Sequence, residues 1–158
     1  MSFAEGTYYM TTVLGSHKAV DLEASEPTGR VIEYKTMANS RNPLLNSQTH
    51  GGKNQQWHVT KITNEEYSIQ SVATSTYITA PNGDDMTARG SKLAPECNSV
   101  ARWKIVKASS KGDSYFVRNV AYPNKVLDVS GSNQADLTPI LVYAYHGGNN
   151  QQFTFKQV

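Results

Sequence analysis

Three times along the chain, a segment led by Tyr and closed by Val alternates its side chains: "YYMTTV" at 8–13, "YSIQSV" at 67–72 and "YFVRNV" at 115–120. Behind each comes an apolar tetrad, "AVDL" (19–22), "YITA" (77–80) or "VLDV" (126–129), and then a closing signature, "QQWHV" (55–59), "ARWKI" (101–105) or "QQFTF" (151–155). The aromatics of those signatures, Trp57, Trp103 and Phe153, lie forty-six and fifty residues apart. A period of this length means one supersecondary unit written three times. A unit too small to bury its own apolar face must share a core with its copies.

Within each copy the apolar positions recur every second residue over short runs, and the gaps hold turn chemistry such as "EPTG", "PNGDD", "KGD" and "YPNK". The units are therefore strands and hairpins. Composition agrees: charged residues are only 18% of the chain, and the polar remainder is rich in Ser, Thr, Asn, Gln and Gly, which suits short strands joined by turns better than long helices. Four strands per copy give about twelve, and three equivalent units closed around one core predict an all-β, pseudo-threefold β-trefoil. At 158 residues the chain fits one domain, divided into repeats at about 1–63, 64–110 and 111–158. Tyr34 to His50 spans sixteen positions where Tyr143 to His146 spans three, which marks residues 37–49, "MANSRNPLLNSQT", as an insertion in the first repeat. A tolerated surface loop is expected there, with Leu44 and Leu45 as candidate contact points.

The net charge is +2 with its basic residues scattered, so no stripe exists to neutralise phosphates, and nucleic acid is not an expected partner. No apolar run is long enough to span a bilayer. The opening "MSFAEGTYYM" has neither the charged nor the apolar region of an export signal, and the lone Cys97 cannot close an internal disulfide. Cytoplasmic residence is the expectation. Catalysis is not expected: His17, His50, His58, His146 and Cys97 show no nucleophile–base spacing, and His50 and His146 belong to different repeats. The acidic pairs Glu65–Glu66 and Asp84–Asp85 sit in turn-like surroundings. No zinc or calcium spacing is present, so neither a metal nor another cofactor is expected.

The phrase "HGGKNQQW" at 50–57 returns as "HGGNNQQF" at 146–153. With three Q-x-W-like signatures in register with three Tyr-led strands, the whole chain resembles the ricin B-like, R-type lectin family, and the His-Gly-Gly phrase resembles its small fungal branch. The resemblance implies that Trp57, Trp103 and Phe153 pack in the trefoil core, that Gln55 and Gln151 act mainly as braces, and that the partners are glycans of the galactose or N-acetylgalactosamine type.

Such a sugar offers adjacent hydroxyls and one apolar face of C–H groups. A carboxylate accepts two hydroxyl protons in charge-assisted bonds, an amide supplies a donor and an acceptor, and a flat aromatic ring covers the apolar face. The third repeat matches the family pattern with Asp128 as the carboxylate, Tyr143 as the platform, Asn150 and Gln151 as the amide pair, Ser130 and Gly131 as an open rim, and His146 before the Gly147–Gly148 turn, where sugar hydroxyls are expected to approach backbone amides. The first repeat carries Asp21, Tyr34, His50, Gly51, Asn54 and Gln55 in the same order, but follows Asp21 with "LEAS" in place of a Gly-containing turn. The second has Thr79 for the carboxylate and Ala101 for the Gln, and is expected to be structural only. Two sites on one trefoil, or more in a homodimer, would raise avidity enough to agglutinate cells. The alternative is a β-trefoil protease inhibitor that presents an exposed loop, either residues 37–49 or residues 82–98.

Overall fold

The structure is a computed structural model that describes residues 2–35 and 52–158. The insertion at 37–49, with Leu44 and Leu45, and the candidate site residues His50 and Gly51 lie outside the described residues.

Twelve strands are present among the described residues. The first four are β1 (Gly6–Thr12), β2 (Ala19–Leu22), β3 (Val31–Tyr34) and β4 (Gln56–Thr63); the next are β5 (Glu66–Ser71), β6 (Tyr77–Thr79), β7 (Arg89–Ser91) and β8 (Trp103–Lys107); the last are β9 (Ser114–Asn119), β10 (Lys125–Val129), β11 (Thr138–Ala144) and β12 (Phe153–Gln157). All pairings are antiparallel. β1, β4, β5, β8, β9 and β12 pair in that cyclic order and close a barrel. The hairpins β2–β3, β6–β7 and β10–β11 cap one end. They meet around the axis through backbone bonds from Val31 to Ala88 and from Ala88 to Ile140. The result is the β-trefoil that the repeat predicts.

The repeat is also visible as layers of equivalent core residues. Trp57, Trp103 and Phe153 are fully buried, as are Val20, Ile78 and Leu127, and Met10, Ile69 and Val117. Each indole N–H is satisfied on the preceding layer: Trp57 Nε1 donates to the Val20 carbonyl at 2.9 Å and Trp103 Nε1 to that of Ile78 at 2.8 Å. Phe153 has no N–H to satisfy, so the third repeat accepts it without loss. At the other end of the barrel Phe3 stands among Tyr8, Tyr67, Tyr115 and Phe155, with ring centroids 4.8–6.1 Å apart. Tyr8 and Tyr67 donate their hydroxyls to the carbonyls of Ala4 and Phe3, so the leading Tyr of a repeat fastens the N-terminal segment.

The stretch 82–98, which the inhibitor alternative would use as an exposed loop, is partly built into the cap. It contains β7, paired with β6, and residues 87–88 are bonded to Leu141, Val31 and Ile140. The hairpin is needed to close the cap.

Candidate functional site

The outer faces of the cap hairpins hold the candidate residues. In antiparallel strands, residues directly opposite share a face, and so do positions two apart along a strand. Asp128 is opposite Leu141, and Tyr143 is opposite Val126. Tyr143 is therefore diagonal to Asp128 on one face. In the first repeat Asp21 is opposite Ile32 and Tyr34 opposite Ala19, the same diagonal. The Asp-to-Tyr spacing differs by two residues between the copies, and the whole difference falls beyond the last paired residues of each hairpin, Leu22–Val31 in one and Val129–Ile140 in the other.

Asp128 is 3% exposed and forms the floor. Asn150 Nδ2 donates to its Oδ1 at 3.0 Å and Gln151 Nε2 to its Oδ2 at 2.8 Å. A short 3₁₀ turn at Asn149–Gln151 turns both amides inward. Gln151 is a complete brace: Nε2 also donates to the Ala144 carbonyl at 2.8 Å, and Oε1 accepts the amides of His146 and Gly147 at 2.9 and 3.1 Å. All its hydrogen-bonding capacity is used, so Gln151 braces the floor and has no donor or acceptor left for a ligand. Asn150 spends its second N–H on the Val129 carbonyl at 3.2 Å and keeps its oxygen.

The Gly147–Gly148 turn differs from the expectation. Its backbone amides are not open to a ligand: those of His146 and Gly147 go to Gln151, and that of Gly148 goes to His146 Nδ1 at 3.2 Å. The glycines serve geometry. Gly147 has φ +76°, and a side chain at Gly148 would come within 2.6 Å of the His146 ring and 2.8 Å of Asn150 Oδ1. With Nδ1 accepting, the imidazole proton is assigned to Nε2, which lies 3.5 Å from Asp128 Oδ2. His146 thus leans over the carboxylate, itself half exposed. Burial pushes the Asp128 carboxyl above its ordinary value, against the pull of Gln151, His146 and Asn150.

The first repeat repeats this floor. Asn54 Nδ2 and Gln55 Nε2 donate to Asp21 at 2.8 and 2.9 Å, and Gln55 donates again to the Lys35 carbonyl at 3.0 Å, the counterpart of Ala144. Burial raises the Asp21 carboxyl to about 6, opposed by the two amides and assisted by the negative Glu23. The "LEAS" segment also follows the third repeat closely: Ala24 adopts φ +53° where Gly131 adopts +59°. The turn is the same in both, and only its occupant differs. Its rim is charged, with Glu23 in the position of Ser130 and forming a two-pronged bond to Arg30 at 2.7 Å.

The second repeat has none of the set. Thr79 stands for the carboxylate and donates to the Tyr77 carbonyl, Ser91 is opposite Tyr77 where the other copies place a tyrosine, and the turn at Ser99–Ala101 supplies Val100 and Ala101 for the amides.

Several residues of the third-repeat face were not singled out from the sequence. Val126 is opposite Arg118 as well as Tyr143, so Arg118 lies on the same face; Thr87 bridges to Leu141. Tyr145 is half exposed, edge-on to Phe116 at 5.0 Å and covered by the Arg118 guanidinium at 4.8 Å. The "YAY" of 143–145 is the readable signal for the second tyrosine; nothing local announces Arg118.

Comparison with known proteins bears on this geometry. The profile of a family described as "Ricin-type beta-trefoil lectin domain-like" matches two overlapping stretches, residues 53–143 and 101–158. No curated protein matches in a sequence search. Among solved structures, the Rhizoctonia solani agglutinin is 25% identical over 100% of this chain and 99% of its own, with a TM-score of 0.76. The Macrolepiota procera ricin B-like lectin in complex with lactose is 21% identical over 100% of both chains, TM-score 0.72. The C-half of the earthworm R-type lectin in complex with GalNAc is 19% identical over 96% of this chain and 98% of its own, TM-score 0.68.

Proposed function

The chain belongs to the ricin-type β-trefoil lectin-like family, and from that premise we propose that it is a non-enzymatic carbohydrate-binding protein with sites on its first and third repeats. The observation that carries this reading is the duplicated floor: a nearly buried Asp held by an Asn and a Gln, with a Tyr diagonal to it, at Asp21 and again at Asp128. Two amide donors fix each carboxylate and leave about one acceptor direction per oxygen, the one on Asp128 Oδ2 faced by His146 Nε2 at 3.5 Å, which suits a pair of adjacent sugar hydroxyls. The tyrosine ring beside it suits the sugar's C–H face. Galactose and N-acetylgalactosamine are the sugars proposed, because structures that share the fold are solved with lactose and GalNAc.

A handful of hydrogen bonds at ~1 kcal/mol net and one stacking contact of similar size, after association costs, correspond to a Kd of roughly a millimolar to tens of micromolar per site. Function then depends on multivalency, and two sites on a rigid body raise avidity on a glycan-coated surface by about a hundredfold. A glycan array on the full chain, with free lactose as competitor, tests the reading. Binding to galactose-terminated glycans that lactose displaces supports it; an empty array overturns it.

A further inference from the structure

Asp21 and Asp128 sit in matching floors, but the walls beside them differ. The cross-strand row through the platform tyrosine runs Thr11–Ala19–Tyr34 in the first repeat, Gln70–Tyr77–Ser91 in the second, and Arg118–Val126–Tyr143 in the third. One arginine therefore stands on the proposed sugar face of the third repeat, where the first repeat has a threonine. Its partners set it apart. Arg30, Arg89 and Arg102 each pair with a carboxylate, on Glu23, Asp85 and Glu66 respectively. Arg118 has no ion-pair partner among the described residues. Its guanidinium is held by the Tyr145 ring at 4.8 Å and by one bond from Nη1 to the Pro123 carbonyl at 2.5 Å. Of its five N–H donors, four remain.

A guanidinium fixed by stacking and one backbone bond loses little freedom when it captures an anion, and its fork matches a planar or tetrahedral oxyanion. Strands in a sheet lie about 4.8 Å apart, so Arg118 and Tyr143, on either side of β10, are separated by roughly 10 Å, the reach of one sugar ring with its substituent. We infer that the third-repeat site prefers a galactose-type glycan bearing an anionic substituent, a carboxylate or a sulfate ester, whose charge is received by Arg118 beside Tyr145 while neutral hydroxyls engage Asp128. This rests on the lectin reading above. The first-repeat site, with Thr11 in the equivalent place, takes neutral sugars.

The experiment is calorimetric titration of the full chain with lactose and with lactose sulfated on its galactose, at low and at physiological salt, for wild type, Arg118→Gln and Arg118→Lys. The expected result is about a fivefold preference for the sulfated sugar, reduced by salt. Arg118→Gln abolishes the preference, and Arg118→Lys restores part of it. A thermal midpoint equal to that of wild type serves as the check that each variant is folded. Equal affinities in wild type, or a preference that survives Arg118→Gln, overturn the inference and leave the lectin reading standing. Absence of binding to either sugar overturns both.

Discussion

Asn150 reaches Asp128 through a bond of 3.0 Å from Nδ2 to Oδ1, which makes the carboxylate a structural hub as well as the proposed acceptor of sugar hydroxyls. Removing it leaves the amides of Asn150 and Gln151 without their acceptor, each at about 1–3 kcal/mol. Asp128→Ala is therefore expected to abolish third-site binding and also to lower stability by roughly 2–6 kcal/mol, read by urea denaturation. An unchanged midpoint would show that the amides find other partners.

Tyr143 gives the cleaner test of recognition. Its ring is 42% exposed and makes no side-chain hydrogen bond or ring contact among the described residues. Tyr143→Ala should weaken lactose binding at the third site about fivefold, the loss of one stacking contact of ~1 kcal/mol, and shift stability by under about 0.5 kcal/mol. Full retention of affinity would remove the tyrosine from the site.

Acidification should separate affinity from stability in the first repeat. Asp21 titrates near 6, above its ordinary value, so the folded state takes up a proton that the unfolded chain releases. Its contribution to stability is fully present below about 4 and lost as pH rises through 6. Affinity runs the other way, because a protonated carboxyl surrenders an acceptor. In an Asp128→Ala background, which leaves the first site alone, lactose affinity should fall several-fold between pH 7 and pH 5. A flat profile would mean that Asp21 does not contact the sugar.

Glu33 occupies the layer filled by Gly90 and Val142 in the other repeats, as the register of the cap hairpins shows. Its side chain is fully buried, and neither oxygen has a hydrogen-bond partner among the described residues. Burial raises it to about 7; Lys18 opposes the shift and Asp136 adds to it. Stability from this group is present below about 4.5 and lost as pH rises through 7. Glu33→Gln, which cannot ionise, should raise the Tm by several degrees at pH 8 and change it little at pH 5. The same gain at both values would point to packing in place of charge.

Ala24, at φ +53°, sits where Gly131 sits in the third repeat. Left-handed backbone costs a residue with a Cβ about 1–2 kcal/mol, part of which glycine returns to unfolded-chain entropy. Ala24→Gly should therefore stabilise the fold by about 0.5–1 kcal/mol, measured by thermal unfolding, and leave sugar binding intact.

The trefoil and its core aromatics were readable because they recur: Trp57, Trp103 and Phe153 mark equivalent positions without any knowledge of pairing. The floor was readable for the same reason, since Asp21 with Asn54–Gln55 mirrors Asp128 with Asn150–Gln151. What stayed hidden depends on who bonds to whom. The amides of Gly147 and Gly148 look free in a Gly-Gly turn, and only the positions of Gln151 Oε1 and His146 Nδ1 show that they are taken. Residues 82–98 look like a loop because β7 is three residues long and carries glycine at its centre. Arg118 joins the site through register with Val126, a relation between strands that no local pattern encodes.

The bare second lobe, with Thr79, Ser91, Val100 and Ala101 where its siblings carry polar hooks, bears on what this molecule assembles. On the proposed function, two gripping lobes set a third of a turn apart, with nothing on the remaining one, make a bent bivalent linker. Mixed with a branched receptor it would string partners into open zigzag threads, whereas three equal lobes would knit a net.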